Sequence, residues 1–247
     1  MSIIMKAFMN FFDKIFSFFK SIGDSFYQTI IYDNRYEYIL EGLFHTVIIA
    51  LFAVAIGIVI GVIISLIRNN YDNNKKMKIG NKISKAYVNI IRGTPVILQL
   101  MIIYYVIFKS TNINIVIVAI LSYGINSGAY VSEIIRAGIN SVPKGQMEAG
   151  YALGLKYSKV MRHIVLPQAF RNILPALGNE FITLLKETSV GAYIGVIELT
   201  KASDIIASRT YDYFFPLIII AIIYLIMTLG LSKAVNALER RLNNARS

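Results

Sequence analysis

Residues 43–67 read LFHTVIIALFAVAIGIVIGVIISLI, a continuous apolar stretch in which only His45, Thr46 and Ser65 carry polar side chains. A helix needs about 20 mainly apolar residues to cross the hydrocarbon core of a bilayer, and this stretch supplies them without a single charge. A surface helix of a soluble protein would instead show an apolar stripe and a polar face. The stretch therefore predicts a membrane-spanning helix, and it decides the class of the fold.

Four further apolar stretches follow along the chain, at 86–108, 115–135, 173–194 and 213–231, and a loop is expected between the last two. The stretch 173–194 is more polar than the others. Hydrophobic residues make up 56% of the 247 residues, more than a soluble domain usually carries, and they come in blocks. The pattern predicts an all-α, polytopic membrane bundle of five transmembrane helices.

Lysine and arginine are distributed unevenly between the two sets of loops, and this bias predicts the orientation. The basic segments are 68–85 and 136–171, together with the C-terminal tail. The predicted topology places the N-terminus outside and the C-terminus in the cytoplasm. It divides the chain into an extracytoplasmic or interfacial amphipathic segment (1–42), a transmembrane domain (43–235) and a cytoplasmic tail (236–247).

The N-terminal segment is apolar but has Lys6, Lys14 and Lys20 spread through it. A signal peptide would place its charges first and follow its apolar core with small residues at a cleavage site. An amphipathic helix lying in the membrane interface fits the order of residues better. A transmembrane role for this segment is the alternative.

The formal net charge of +11 would suit a nucleic-acid-binding protein, but the basic residues flank the apolar blocks and form no face with interleaved aromatic residues. Membrane lipid, and not nucleic acid, is therefore the expected partner. The chain has no cysteine, and His45 and His163 do not stand in a metal-ligand spacing. It also lacks the Gly-x-x-x-x-Gly-Lys-Ser/Thr phosphate loop. We therefore expect no metal, no cofactor and no catalytic residue in this chain, and no ATP hydrolysis by it.

The first span contains Gly57 and Gly61, a small-xxx-small spacing that lets two helices approach closely. One interpretation is a helix–helix contact, either within the subunit or between subunits. The other is the ordinary abundance of glycine in membrane helices.

A short helix is predicted in the cytoplasmic segment from Gln146 to Tyr157, where small residues are frequent. Gly150 and Gly154 are four residues apart and would share one helix face. Each glycine costs about 1 kcal/mol against alanine, so something outside the helix must order it, and a groove on another protein would do so. Pro167 is expected to end regular structure before the chain returns to the membrane.

This segment resembles the EAA loop of the permeases of bacterial ABC importers. The resemblance rests on Glu148-Ala149-Gly150, on Gly154 and, further along, on Ile164 and Leu166-Pro167. The family often has alanine where Gly150 stands, which is a change between two small residues.

The resemblance extends over most of the chain between Leu43 and Leu231. Arg92-Gly93-Thr94-Pro95, Ala129-Tyr130 and Lys186-Glu187-Thr188-Ser189 are similar to the polar amino-acid branch of the family, the histidine, glutamine and arginine type. It implies a type I importer fold with a coupling helix at about 146–157 that docks on an ATP-binding subunit. The residues implied to form the coupling surface are Gln146, Glu148, Ala149, Gly150, Gly154, Ile164, Leu166 and Pro167.

The resemblance also implies the rest of an assembly in a bacterial cytoplasmic membrane. Its other members would be two copies of the ATP-binding subunit, which hold ATP and Mg²⁺, a second permease chain, identical or related, and an external amino-acid-binding protein. The expected function is the ATP-driven import of a polar amino acid. An ATP-independent secondary transporter or channel is the alternative, although a channel has no reason to carry a coupling segment.

Polar residues within the spans are the candidates for a substrate site, because such groups usually face a bundle interior or an aqueous path. Four of them in the fourth predicted span share one helical stripe, and Gln99 falls near the middle of the second span. A structural network between helices is the alternative, and it is the preferred interpretation for the pair Glu133 and Arg136. The predicted substrate-binding residues are Gln99, Asn179, Glu180 and Thr183, and Lys186 and Glu187 are assigned to a possible translocation path.

Overall fold

The computed structural model describes the backbone of residues 3–244 and the side chains of residues 13–71, 75–242 and 244. All regular secondary structure in this part of the chain is helical. The side chain of Lys6 and the whole of Arg246, a basic residue of the tail, lie outside the described residues. The all-α prediction is confirmed. The α-helices in this part of the chain are α1 (Ile3–Phe26), α2 (Tyr36–Asn74), α3 (Lys78–Gly93), α4 (Val96–Ile102), α5 (Ile115–Asn140), α6 (Lys144–Ala152), α7 (Tyr157–Val160), α8 (Leu166–Glu187), α9 (Leu199–Thr210) and α10 (Phe214–Asn244).

Three of the described helices, α2, α5 and α10, are each long and apolar enough to cross a membrane. A fourth span results if α3 and the run from Val96 to Ile107 are counted together. α8, which covers most of the predicted span 173–194, does not qualify as a span by length and composition. The predicted count of five spans is therefore not confirmed.

The second predicted span, 86–108, is broken in the middle. Pro95 favours an extended conformation of the residue before it, and Thr94 adopts one (φ −125°, ψ 148°), so that α3 ends just before this pair and α4 begins just after it. The two helices meet at 110°. As a result α3 packs across α2 and α5, whereas α4 and the π-helical turn Ile103–Ile107 run alongside α5.

The glycines of the first span form a close contact with α5 inside the subunit. A Cβ atom added at Gly61 would lie 2.5 Å from Cγ1 of Val131 on α5, which is too close for any real side chain. The same holds at Gly57 and, from the α5 side, at Gly124 and Gly128, where the nearest atoms would lie at 2.6–2.7 Å. Of the two interpretations of this spacing, the helix–helix contact is confirmed, and it lies within the subunit.

A single helical run connects the end of the predicted coupling segment, at Tyr157, to the last residues of α8. α7 continues through a π-helical turn, Met161–Val165, directly into α8, and every residue at these junctions has right-handed helical dihedral angles. Pro167 lies in the first turn of α8, so the prediction that it ends regular structure is wrong. The wider π turn just before it offers a physical reason, because a proline lacks the backbone N–H and clashes with the carbonyl of the preceding helical turn.

The predicted amphipathic N-terminal segment is helical as far as Phe26. The described part of this helix, α1, exposes four large aromatic side chains, Phe16, Phe18, Phe19 and Phe26. A π-helical turn follows, and Thr29 within it donates a hydrogen bond to Asp212, just before α10, at 3.0 Å. The placement of α1 in the membrane interface stays a prediction.

Candidate functional site

The polar residues of the fourth predicted span lie along the open side of α8. The other side of this helix, which includes Ile182 and Leu185, is buried, and α8 packs on α5 and α10. A row of polar groups on a membrane helix requires water or a polar partner, because lipid satisfies neither hydrogen bonds nor charge. The residues of this row are the exposed Asn179, Thr183 and Lys186 and the half-buried Glu180 and Glu187.

Glu180 is anchored by one hydrogen bond and is otherwise available. Ser127 of α5 donates to its Oε1 atom at 2.9 Å. Among the described side chains, Glu180 forms no ion pair, and its Oε2 atom accepts no hydrogen bond. The alternative in which this carboxylate pairs with a basic residue on another span of the same chain therefore finds no support.

Gln99 holds the break between α3 and α4 together. Its Nε2 atom lies 2.8 Å from the carbonyl oxygen of Ile91 and 2.8 Å from the hydroxyl of Thr94, and donates to both. Its Oε1 atom accepts a hydrogen bond from Asn126 of α5 at 2.9 Å. Both ends of this amide are thus bound to the protein, which gives Gln99 a structural task; its contact with substrate stays a prediction.

Two neighbouring residues of α5 place Gln99 and Glu180 at the same level of the bundle. Asn126 donates to Gln99, and Ser127, the next residue, donates to Glu180. Consecutive helical residues differ by about 1.5 Å in height and by about 100° in direction. The two predicted substrate residues therefore flank α5 on different sides at one depth.

The end of α8 is fixed through its backbone. The buried Tyr123 of α5 donates its hydroxyl to the carbonyl oxygen of Glu187 at 3.0 Å. The side chains of Lys186 and Glu187 form no ion pair with a described residue, although they are adjacent in the chain. Lys186 is exposed and Glu187 is half-buried, and the assignment of both to a translocation path stays a prediction.

The pair of Glu133 and Arg136 is confirmed, but it belongs to a larger cluster. Arg136 donates to Oε2 of Glu133 from Nη2 at 2.6 Å and from Nε at 3.0 Å, and Arg68 of α2 donates to the other carboxylate oxygen. Arg92 lies 3.9 Å from the same carboxylate and stacks over the ring of Tyr130. Sequence spacing could find only the partner on the same helix, because the others come from α2 and α3.

Glu198 is a fully buried carboxylate that the sequence interpretation left in a loop. It caps the N-terminus of α9, accepting hydrogen bonds from the backbone N–H groups of Thr200 and Lys201 at 2.7 Å each. The hydroxyl of Tyr224 on α10 adds a third, at 3.3 Å. An acidic residue just before a helix is a usable signal, but glutamate is not among the preferred N-cap residues, and α9 itself was not predicted.

The predicted coupling helix, about 146–157, is shorter than expected. α6 covers Lys144–Ala152, and Gly154 beyond it adopts a left-handed conformation (φ +73°) that favours glycine. Gly150 is buried, and a Cβ atom there would lie 2.9 Å from both Val160 and Ile164. The two glycines therefore do not form a narrow outward face: Gly150 allows the segment to fold on itself, and Gly154 ends the helix.

The motif residues of this segment separate into an outward and an inward group. Leu153, just after α6, is 79% exposed, more than any other described leucine. Tyr157 donates to Asn69 at 2.9 Å and so ties the segment to α2. The outward group is Gln146, Glu148, Ala149, Gly154 and Pro167, and the inward group is Gly150, Ile164 and Leu166.

Comparison with known proteins places this geometry in a family. Residues 57–244 match the family described as binding-protein-dependent transport system inner membrane component. The chain is 40% identical over 209 residues to the arginine transport system permease protein ArtQ of Bacillus subtilis, covering 84% of this chain and 93% of ArtQ. It is 35% identical over 226 residues to the L-cystine transport system permease protein TcyB of the same species, covering 90% and 94%.

A solved structure has the same fold. It is described as the crystal structure of an amino acid ABC transporter with histidines. It is 43% identical to this chain, covers 83% of it and 94% of its own chain, and superposes with a TM-score of 0.78.

Proposed function

The chain belongs to the family of binding-protein-dependent transport system inner membrane components, and on that premise we propose that it is the permease subunit of an ABC importer for a polar amino acid. Relatives named for arginine and L-cystine transport, and a solved amino acid ABC transporter, support this class of cargo. Family membership also weighs against a secondary transporter or channel that works without ATP.

Glu180 carries the substrate assignment. An amino acid brings an ammonium group into a low-dielectric path, where an unpaired charge is costly. A carboxylate that is held by Ser127 and has no cationic partner in the described chain is suited to receive it. Asn179 and Thr183, exposed beside it on α8, supply polar groups for the carboxylate of the substrate.

The test is transport by the Glu180→Gln variant of the complete importer in proteoliposomes. We expect a folded complex that hydrolyses ATP but takes up amino acids at least tenfold more slowly, or with a changed preference between neutral and cationic ones, because about 1.4 kcal/mol of lost binding corresponds to a factor of ten. The matched control is Glu239→Gln, an exposed carboxylate near the end of α10. If Glu180→Gln takes up every amino acid at the parental rate, the charge of Glu180 is not part of the substrate site.

Coupling to ATP is assigned to the outward group of motif residues, three of which (Gln146, Glu148 and Ala149) lie on α6. In this proposal two ATP-binding subunits, which hold ATP and Mg²⁺, dock on the surface around Glu148 and Leu153. A second permease chain, identical or related, completes the translocation path, and an external binding protein delivers the amino acid. The N-terminus lies outside, and the C-terminus and α6 lie in the cytoplasm.

Reversing one charge on that surface tests the docking. Glu148 is exposed and forms no ion pair with a described residue, so Glu148→Arg should leave the fold intact while opposing the partner electrostatically. We expect normal amounts of membrane-inserted protein, severalfold less ATP-binding subunit on co-purification, and loss of uptake. Glu239→Arg serves as the control. Normal uptake and normal co-purification in the Glu148→Arg variant would overturn the assignment.

A further inference from the structure

A pocket of about 170 Å³ opens between α2, α3 and α5 at the end of the bundle that carries α6. It is separate from the polar side of α8. Its lining includes Arg68 from α2, Lys85 from α3 and Arg136 from α5, and none of its lining residues is acidic. Three helices thus each contribute one cationic side chain to the same small cavity.

The two arginines of this pocket are held in position by Glu133, which does not line the pocket itself. Glu133 pairs with both, through a different carboxylate oxygen for each, and its side chain and that of Arg68 are each only 17% exposed. One carboxylate therefore orients two guanidinium groups. Lys85 is exposed and forms no ion pair with a described residue.

Neutral polar groups complete the wall. Asn69 and Asn140 line the pocket, and Ser65 donates a hydrogen bond to the carbonyl oxygen of Ser132 at 3.1 Å, which fixes α2 against α5 at this level. Guanidinium groups in fixed positions, a flexible ammonium and nearby amides are the donor set that tetrahedral phosphate oxygens require.

The surroundings of the pocket indicate where the phosphate comes from. On α3, Lys78, Lys82 and Lys85 are exposed at spacings of four and three residues and share a face. Ile79 and Ile83, on the neighbouring face, are 75% and 65% exposed. A basic face beside an apolar one, on a helix that crosses the bundle, is the arrangement of an element in the membrane interface.

We propose that this pocket binds the phosphate group of an anionic phospholipid from the leaflet next to α6. Basic pockets between membrane helices on the cytoplasmic side are suited to such headgroups. The acyl chains would lie against the exposed isoleucines of α3. The site is independent of which amino acid the protein transports.

The test compares lipid binding by two charge-matched variants of the full chain in its complete importer. Lys85→Gln removes a pocket residue, whereas Lys82→Gln removes an exposed lysine one turn away that does not line the pocket. The complexes are placed in phosphatidylcholine nanodiscs, phosphatidylglycerol is titrated in, and thermal unfolding and retained lipid by native mass spectrometry are measured.

Phosphatidylglycerol should stabilise the parent and the Lys82→Gln variant alike. Lys85→Gln should bind it about fivefold more weakly, because the charged hydrogen bond to the phosphate inside the pocket is lost, and Lys85→Arg should restore binding. Equal binding by Lys85→Gln and Lys82→Gln would overturn the proposal. A second arm titrates inorganic phosphate into phosphatidylcholine nanodiscs. If inorganic phosphate stabilises the complex in a way that depends on Lys85, and phosphatidylglycerol does not stabilise it, the pocket binds free phosphate and the lipid proposal is wrong.

Discussion

At the scale of single residues, Gln99 shows how one polar side chain supports a fold inside a membrane. The break at Pro95 leaves carbonyl groups at the end of α3 without helical partners. The Gln99 amide binds the carbonyl oxygen of Ile91 and the hydroxyl of Thr94, and accepts from Asn126. A single side chain therefore joins α3, α4 and α5.

Replacing Gln99 by leucine should destabilise the protein whatever ligand is present. The change preserves approximate volume but leaves the Ile91 carbonyl and the Asn126 amide without this partner, and each unsatisfied buried group costs about 1–3 kcal/mol. We expect a lower thermal unfolding midpoint, measured with and without amino acid.

An unchanged unfolding midpoint of Gln99→Leu would contradict the structural role of this residue. A variant with the parental unfolding midpoint and weakened uptake would assign this residue to the substrate path instead of the helix break. Leu98→Gln, a change at an exposed neighbouring position of α4, is the control for a substitution near the break.

Residues in contact with each other across the fold were the hardest to predict. Gly150 was recognised as special, but its partners, Val160 and Ile164, become visible only once the chain turns after Gly154. The polar residues of α8 were found from the sequence alone because their cause is local: a period of 3.6 residues within one helix. Glu198 was missed because its capping partners belong to a helix that apolar periodicity does not mark.

At the scale of elements, the contact between α2 and α5 is the described helix pairing to which the most glycines contribute. Gly57 and Gly61 face α5, and Gly124 and Gly128 face α2, so that each helix fits its small residues against the side chains of the other. Dispersion and close packing drive association in lipid, where the hydrophobic effect between helices is absent. This contact fixes the height in the bundle at which Asn126 and Ser127 of α5 donate hydrogen bonds to Gln99 and Glu180.

Gly61→Val should separate this pair. Its new side chain would overlap Val131, and overpacking of this kind costs about 1–3 kcal/mol. We expect a lower unfolding midpoint and faster proteolysis in detergent. The matched control is Gly230→Val on α10, where an added Cβ atom would meet nothing within 4 Å. Equal effects of the two substitutions would contradict the packing described for α2 and α5.

Helix existence could be predicted more reliably than helix continuity. The spans of α2, α5 and α10 follow from long, mainly apolar stretches of sequence, and the helical state of the N-terminal segment was also predicted. Prolines gave ambiguous signals: Pro95 breaks the second span, whereas Pro167 sits in the first turn of a continuous helix. The difference lies in the conformation of the preceding residue and in the π turn, neither of which residue type alone determines.

At the scale of the whole molecule, the orientation in the membrane follows from where the basic segments lie. α3 and α6 are at the end of the bundle that also holds the arginines around Glu133, whereas the loop before α5, with Thr111, lies at the opposite end. The bias in lysine and arginine predicts that the first end lies in the cytoplasm.

Single cysteines test this orientation, since the chain has none of its own. Thr111 and Lys144 are both exposed, the first in the loop before α5 and the second at the start of α6. In intact cells, an impermeant maleimide should label Thr111→Cys and spare Lys144→Cys until the membrane is permeabilised. The reverse pattern would invert the topology.

The unbroken helical run from Tyr157 to Glu187 has a mechanical consequence. Between Tyr157 and Glu180 it is about 35 Å long, at about 1.5 Å per residue, and it contains Pro175 in the interior of α8. Under the proposed coupling role, we expect a displacement of the segment around α6 to be transmitted along this run as a shift or tilt of the Glu180 side chain. Bending within this run is expected at two places, the π turn Met161–Val165 and Pro175, where the regular hydrogen-bond pattern of the helix is interrupted.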